Sequence, residues 1–245
     1  MRLWSIIGAT LLAHALCAED FWIAREPEKW SEQDIKRMVT DSPWAKEVTA
    51  HVRGGAIPNI ETSTAAGGPD NPGTGRPTMD SSPSAPQIQV RWDSAAPVYE
   101  ACAKGGMERH LFSCSSKLLY LSGLGKKFDE LRKEFYIVGM SNYPKALRGE
   151  DAPQHSEAAN AALDRMSRRI QQTTFLKRKG KPPSKPSYIV ALPAGPALLL
   201  MVFFPRTDAL SLADKEVVFE STNGTIDVKA TFNLRRMLYQ GKLEL

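Results

Sequence analysis

Three cysteines and four histidines in 245 residues leave little material for redox or metal chemistry, and they are not arranged for either. No Cys-x-x-Cys, no His-Glu-x-x-His and no nucleophile elbow occurs. The only soft-ligand grouping along the chain is Cys102, His110 and Cys114. A structural zinc site takes four ligands in short paired spacings, so this grouping is read as two cysteines beside an ordinary histidine. Beyond the first eighteen residues no apolar run reaches the roughly 20 residues that cross a bilayer. The longest approach to one is broken by Pro193-Ala194-Gly195-Pro196. Ser122-Gly123-Leu124-Gly125-Lys126 has too few residues between its glycines for a phosphate loop, and no Ser or Thr follows its lysine. A Ser-His-Asp site is assembled in space and requires no fixed spacing, so the sequence neither places nor removes one. No catalytic residue and no cofactor is implied.

What is present begins with a leader. Residues 1–18 carry Arg2, an apolar centre over 3–12, and small residues at Ala13, Ala15 and Ala18. This is the pattern of a secretory signal peptide, with cleavage after Ala15, Cys17 or Ala18 all compatible. Cys17 also raises a lipoprotein reading, in which the protein is tethered to an envelope, although Leu16 stands where that signal prefers Gly or Ala. Export, to the periplasm or the medium, governs the other two cysteines. Cys102 and Cys114 make an even pair in an oxidising compartment, and a disulfide between them would close a short loop worth about 3 kcal/mol of chain entropy.

Past the leader, residues 19–53 contain one helix, opened by Ser31 with Asp34 three positions on and striped by Ile35, Met38 and Val39 before Asp41-Ser42-Pro43. Trp22, Trp30 and Trp44 flank it, which suits packing of a short helix onto a domain better than a ligand groove. Residues 54–87 are more than half Gly, Pro, Ser and Thr and form a linker too poor in apolar surface to order itself. The N-terminal helix is therefore tethered to the main domain, or packs on it across a mobile loop.

The main domain, 88–245, is organised around its C-terminal end. Ile226, Val228, Ala230 and Phe232 alternate with Asp227, Lys229, Thr231 and Asn233, and Val217 and Phe219 alternate with charged neighbours upstream. Asn223-Gly224 between them predicts an antiparallel hairpin whose two central residues have positive φ. The apolar run 198–204 reads as a strand buried on both faces, with 188–192 as its neighbour, and 237–245 as a last strand bent at Gly241. Strands are also predicted at 88–92 and 135–140, and helices after Asp93-Ser94, over 126–134 and over about 154–174. The fold class is α+β: a C-terminal antiparallel sheet of roughly five strands with packed helices, plus the tethered N-terminal helix.

Net charge is +5, or +4 without Arg2, and the excess is concentrated between Arg165 and Lys185. Lys177, Arg178, Lys179 and Lys181 are the candidate patch for an anionic surface or acidic envelope partner. The alternative is a solvated helix end and turn. Nucleic acid is disfavoured, since no aromatic residues interleave the cations for base stacking. Asn223-Gly224-Thr225 matches a glycosylation acceptor, but its turn role accounts for it.

Three blocks, Asp41-Ser42-Pro43-Trp44-Ala45-Lys46, Asp214-Lys215-Glu216-Val217-Val218-Phe219 and Tyr239-Gln240-Gly241-Lys242-Leu243-Glu244-Leu245, resemble blocks in a group of uncharacterised secreted proteins from soil acidobacteria. The resemblance covers the two ends of the mature chain. Some neighbours of that group carry the so-called GWxTD domain, whose pattern Lys29-Trp30-Ser31-Glu32-Gln33-Asp34 does not match. The resemblance implies export and a bacterial envelope setting, and no activity. The expectation is a non-catalytic periplasmic or secreted binding or scaffolding module, with a hydrolase of envelope or extracellular substrates as its rival.

Overall fold

The apolar run before Pro205 becomes the middle of a sheet. A computed structural model describes residues 20–53, 85–105, 125–144, 157–194 and 197–245. Strand β7 (Ala197–Pro205) lies between β4 (Phe135–Pro144) and β6 (Tyr188–Ala194) in a five-stranded antiparallel sheet that β3 (Gln87–Trp92) and β1 (Ala45–Thr49) complete, in the order β1-β3-β4-β7-β6. Its side chains divide with the two-residue period of a strand. Leu198, Leu200, Val202 and Phe204 enter the main core, while Leu199, Met201 and Phe203 meet Ile137 and Phe128 on the other face. Burial on both faces is why this strand reads as unbroken apolar sequence.

The second layer is the predicted hairpin, β8 (Glu216–Thr222) and β9 (Ile226–Asn233), in a four-stranded sheet with β2 (His51–Val52) and β5 (Thr174–Lys177), in the order β2-β9-β8-β5. Val217, Phe219, Ile226, Val228, Ala230 and Phe232 face inward, as the alternation requires. Edge-to-face contacts join the layers: Phe204 to Phe219 at 6.3 Å and Trp92 to Phe232 at 5.8 Å. The turn sits one residue later than its Asn-Gly pair suggests. Asn223 N donates to Ile226 O at 3.2 Å, so Gly224 and Thr225 are the central residues, and only Gly224 has positive φ, +92°. Asn223 serves instead through its side chain, Oδ1 accepting from Thr225 N at 2.8 Å and Ile226 N at 2.7 Å.

The N-terminal segment packs on the domain and supplies strands as well as a helix. Helix α1 (Phe21–Ala24) precedes α2 (Glu32–Thr40), which is closed by the Ser31–Asp34 capping box. Asp34 Oδ2 accepts from Ser31 N at 3.0 Å, and Asp34 N donates to Ser31 Oγ at 3.2 Å. Beyond α2, β1 (Ala45–Thr49) pairs with β3 (Gln87–Trp92) in the large sheet, and β2 (His51–Val52) pairs with β9 in the small one. One stretch of backbone therefore belongs to both layers. Trp44 is fully buried, its Nε1 donating to Glu244 O at 2.7 Å.

Other boundaries shift for local reasons. Strand β4 runs on to Pro144 because its register slips between Met140 and Tyr143, with Asn142 at φ 60°. The extra residue of the bulge turns Tyr143 back into the core. Helix α3 (Ala96–Lys104) starts without a side-chain cap, since Ser94 Oγ accepts from Ile137 N at 3.0 Å instead. Helix α4 (Gly125–Glu134) lays Phe128 against Tyr99 on the outer face of the large sheet. Helix α5 (Glu157–Gln172) packs on β6, burying Leu163 and Ile170. Strand β5 (Thr174–Lys177), unassigned from sequence, follows it and pairs with β8. The C-terminal stretch is two short strands, β10 (Leu238–Tyr239) and β11 (Lys242–Leu243), turned through Gln240 and Gly241 at φ 49° and 76°. The expected leader, most of the expected linker, and Cys114, His110 and His155 lie outside the described residues.

Candidate functional site

Charge along a chain becomes a surface only if nothing opposite in sign folds against it. Strand β5 alternates, Thr174 and Leu176 inward, Phe175 and Lys177 toward the other side. Lys177 Nζ then meets Glu220 Oε2 on β8, a carboxylate that also takes Lys229 at 3.3 Å. Arg178 turns inward with its side chain 1% exposed, pairing with Asp208 and lying 3.8 Å from Asp214. Lys181 stands 3.4 Å from Asp214 and 3.9 Å from Asp208. Of the four cations predicted as a patch, only Lys179 is exposed without an ion-pair partner among the described residues. Three carboxylates from elsewhere in the chain pair with the other three cations.

These contacts hold the carboxyls below their ordinary range. Asp208 is lowered chiefly by the hydrogen bond from Arg178, and Glu220 by that from Lys177. At Asp214 burial pulls upward but is outweighed by the Ser211 N–H, Lys181 and the Ser211 hydroxyl. Asp34 follows the same pattern, burial opposing and the Ser31 donors with Arg25 prevailing. Carboxyls whose folded pKa is depressed stabilise fully above the unfolded value and lose that contribution as pH falls through the folded one. The melting temperature is therefore expected to hold from neutrality to about pH 5 and to fall below about pH 4. A thermal denaturation series across that range that stayed flat or rose on acidification would contradict these pairings.

Uncompensated charge lies one helix away. Arg165, Arg168 and Arg169 are exposed on the outer side of α5, and Lys185 is exposed in the segment after β5. None of the four has an ion-pair partner among the described residues. Arg168, Gln171, Gln172, Lys185 and Pro186 line an open cleft of about 320 Å³. Its far wall is fixed. Ser184 exchanges backbone hydrogen bonds with Leu176 at 2.9 and 3.0 Å, and Ser187 N donates to Phe203 O at 2.8 Å. Gln171 Nε2 closes the gap from the helix by donating to Ser187 O at 2.6 Å.

A second cleft, about 250 Å³, separates α1 from the β10–β11 turn and is lined by Trp22, Ile23, Arg25, Glu26, Tyr239 and Gln240 among others. Ile23 is 62% exposed at its rim. Its aromatics are committed to packing: Trp22 against Trp44 at 5.7 Å and Trp30 against Tyr239 at 6.4 Å, both edge-on. The Tyr239 hydroxyl donates to Glu100 Oε2 at 2.6 Å, and burial with that carboxylate pushes the phenol far above its ordinary pKa.

The chain matches no protein-family model, no curated protein and no solved structure. Among the described residues no group of three or more His, Cys, Asp and Glu is placed to hold a metal ion, and no helix is long and apolar enough to cross a membrane. His51 is at the surface, 3.8 Å from Asp227, which Arg53 Nε already engages at 2.7 Å. The buried pair Arg91–Asp93, at 2.5 Å, lies under α2, with Arg91 reaching Val39 O at 3.4 Å, and joins the N-terminal helix to the sheet. Cys102 is buried on α3. The basic face of α5 is half legible in the sequence: the cations concentrate between Arg165 and Lys185, but which of them stay unpaired depends on Asp208, Asp214 and Glu220.

Proposed function

We propose that the protein is a non-catalytic binding module of an exported, envelope setting, which engages an anionic partner through Arg165, Arg168, Arg169 and Lys185. The observation that carries the reading is the contrast within one basic stretch. Lys177, Arg178 and Lys181 are matched to carboxylates, whereas the four cations around α5 are exposed and unmatched among the described residues. Unmatched, clustered cations raise the local concentration and association rate of anionic partners. Export rests on the leader pattern of residues 1–18 and the resemblance to secreted proteins, and the Cys102–Cys114 disulfide belongs to the same reading. The hydrolase reading finds less support. In the cleft at Tyr239 the shift keeps the phenol protonated and tied to Glu100, away from the near-neutral pKa that acid–base catalysis uses.

Two measurements test this. Intact mass from fractionated cells, with and without reduction before thiol alkylation, is expected to give a mature chain cut near Ala18 that takes up alkylating reagent only after reduction. Acyl chains on Cys17 would make it a tethered envelope lipoprotein, and an uncleaved, freely alkylated chain would remove the export argument. Sedimentation with vesicles of about one-third anionic lipid is expected to retain the protein at low salt and release it as ionic strength rises. Changing Arg165, Arg168, Arg169 and Lys185 together to Gln should abolish retention. Retention unchanged in that variant would sink the proposed surface.

A further inference from the structure

The cleft between α5 and the Lys185 segment is shaped for a smaller ligand than a surface. We infer that it is a binding site for a phosphate monoester, held by the Arg168 guanidinium, the Lys185 ammonium and the Gln172 amide. This rests on the anionic-partner reading and narrows it to one ligand chemistry.

A lysine on a mobile turn is a solvated charge that must be ordered at entropic cost before it can bind. Lys185 is not placed that way. The residue before it is doubly hydrogen-bonded to Leu176, the residue after it is Pro186, and Ser187 is held by Phe203 O and by Gln171. Its ammonium also lies 6.0 Å from the centre of the Phe175 ring. Arg168 comes from the regular body of α5, four residues before the helix ends at Gln172. Two cations of different kind are thus carried on fixed backbone across an open cleft of about 320 Å³, beside an exposed amide. A guanidinium offers a planar fork to two oxygens, a lysine offers a point charge, and a tetrahedral dianion has oxygens for both. A phosphate monoester carries about −1.5 to −2 charges at neutral pH, which matches two cations with no carboxylate among the lining residues.

The ordinary alternative is that these cations only complement the carbonyl end of α5. The two roles separate experimentally. The intact protein is titrated calorimetrically with glycerol 3-phosphate, inorganic phosphate and sulfate, and melting temperatures are recorded for each variant. Binding of glycerol 3-phosphate is expected to exceed that of sulfate, and to weaken as pH falls through about 6, where the monoester loses its second charge. Arg168→Gln and Lys185→Gln should each lower affinity about tenfold with the fold intact, as loss of one charge-assisted contact predicts. Lys179→Gln, at an exposed cation outside the cleft, should change nothing.

Equal binding of sulfate and monoester without pH dependence, or affinity that survives both substitutions, would overturn the site. A drop in melting temperature without any monoester binding would assign Arg168 to the helix dipole alone. Vesicles containing phosphatidic acid, compared with phosphatidylglycerol at equal surface charge, distinguish a lipid-borne monoester from a soluble one. Retention on both vesicle types with no monoester preference leaves the anionic-partner reading standing and the phosphate site fallen. Loss of all anion binding removes both.

Discussion

A chain that starts at residue 85, with the N-terminal segment removed, is expected to lose cooperative folding altogether. The linker composition leaves the N-terminal helix either tethered to 88–245 or packed on it, and Phe21, Trp22, Trp30, Met38, Val39 and Trp44 are all at most 4% exposed in the core. Burial of each such side chain is worth about 1.5–3 kcal/mol, and a domain's net stability is only about 5–15 kcal/mol. Removal also strips β1 from the edge of the large sheet and β2 from the small one. It leaves the buried Arg91–Asp93 pair open where α2 had covered it. Near-ultraviolet circular dichroism and a thermal scan of 85–245 beside 20–245 decide the matter. A sigmoidal melt with native-like aromatic signal from the shorter chain would show that the segment is an appendage after all.

What could be read from the sequence, and what could not, follows the range of the interactions. The β8–β9 hairpin was legible because two-residue alternation and a turn pair are local, and β7 because burial on both faces leaves an unbroken apolar run. The capping box at Ser31 and Asp34 was legible for the same reason. Strand β1 was not: Lys46, Glu47 and Thr49 dilute its pattern, and its partner β3 lies beyond the linker. Strand β5 was hidden because Lys177 and Arg178 read as the tail of the helix before it, and only pairing with β8 makes them a strand and a buried cation. The turn slipped by one residue because Asn223 can fill a turn either through its backbone or through its side chain, and the register of β8 on β9 selects the second. The candidate site shows the same limit. Cations can be counted along a chain, but their neutralisation by Asp208, Asp214 and Glu220 is a tertiary fact.

Arg178→Ala is expected to be the most destabilising substitution in the basic stretch, while Lys179→Ala beside it is nearly silent. The Arg178 side chain is 1% exposed and faces Asp214, whose side chain is 6% exposed. Truncating one partner of a buried pair leaves the other as an uncompensated charge, at about 3–5 kcal/mol where no other group remains. Asp214 keeps Lys181 at 3.4 Å and the Ser211 N–H at 2.8 Å, which places the expected loss below that range, at about 2 kcal/mol. A surface lysine without a partner falls within about 0.5 kcal/mol of wild type. Urea denaturation of the two variants gives both numbers, and equal midpoints would show that the Arg178 guanidinium is not committed to Asp214. Vesicle retention measured well below the melting point should then run in the opposite order. Arg178→Ala is expected to bind as wild type, because its charge was already matched by carboxylates and withdrawn from the surface. Arg168→Gln is expected to keep its stability and retain less. That inversion would separate the cations that hold the fold from those that meet the partner, a distinction invisible in their spacing and decided by which carboxylates the fold brings to them.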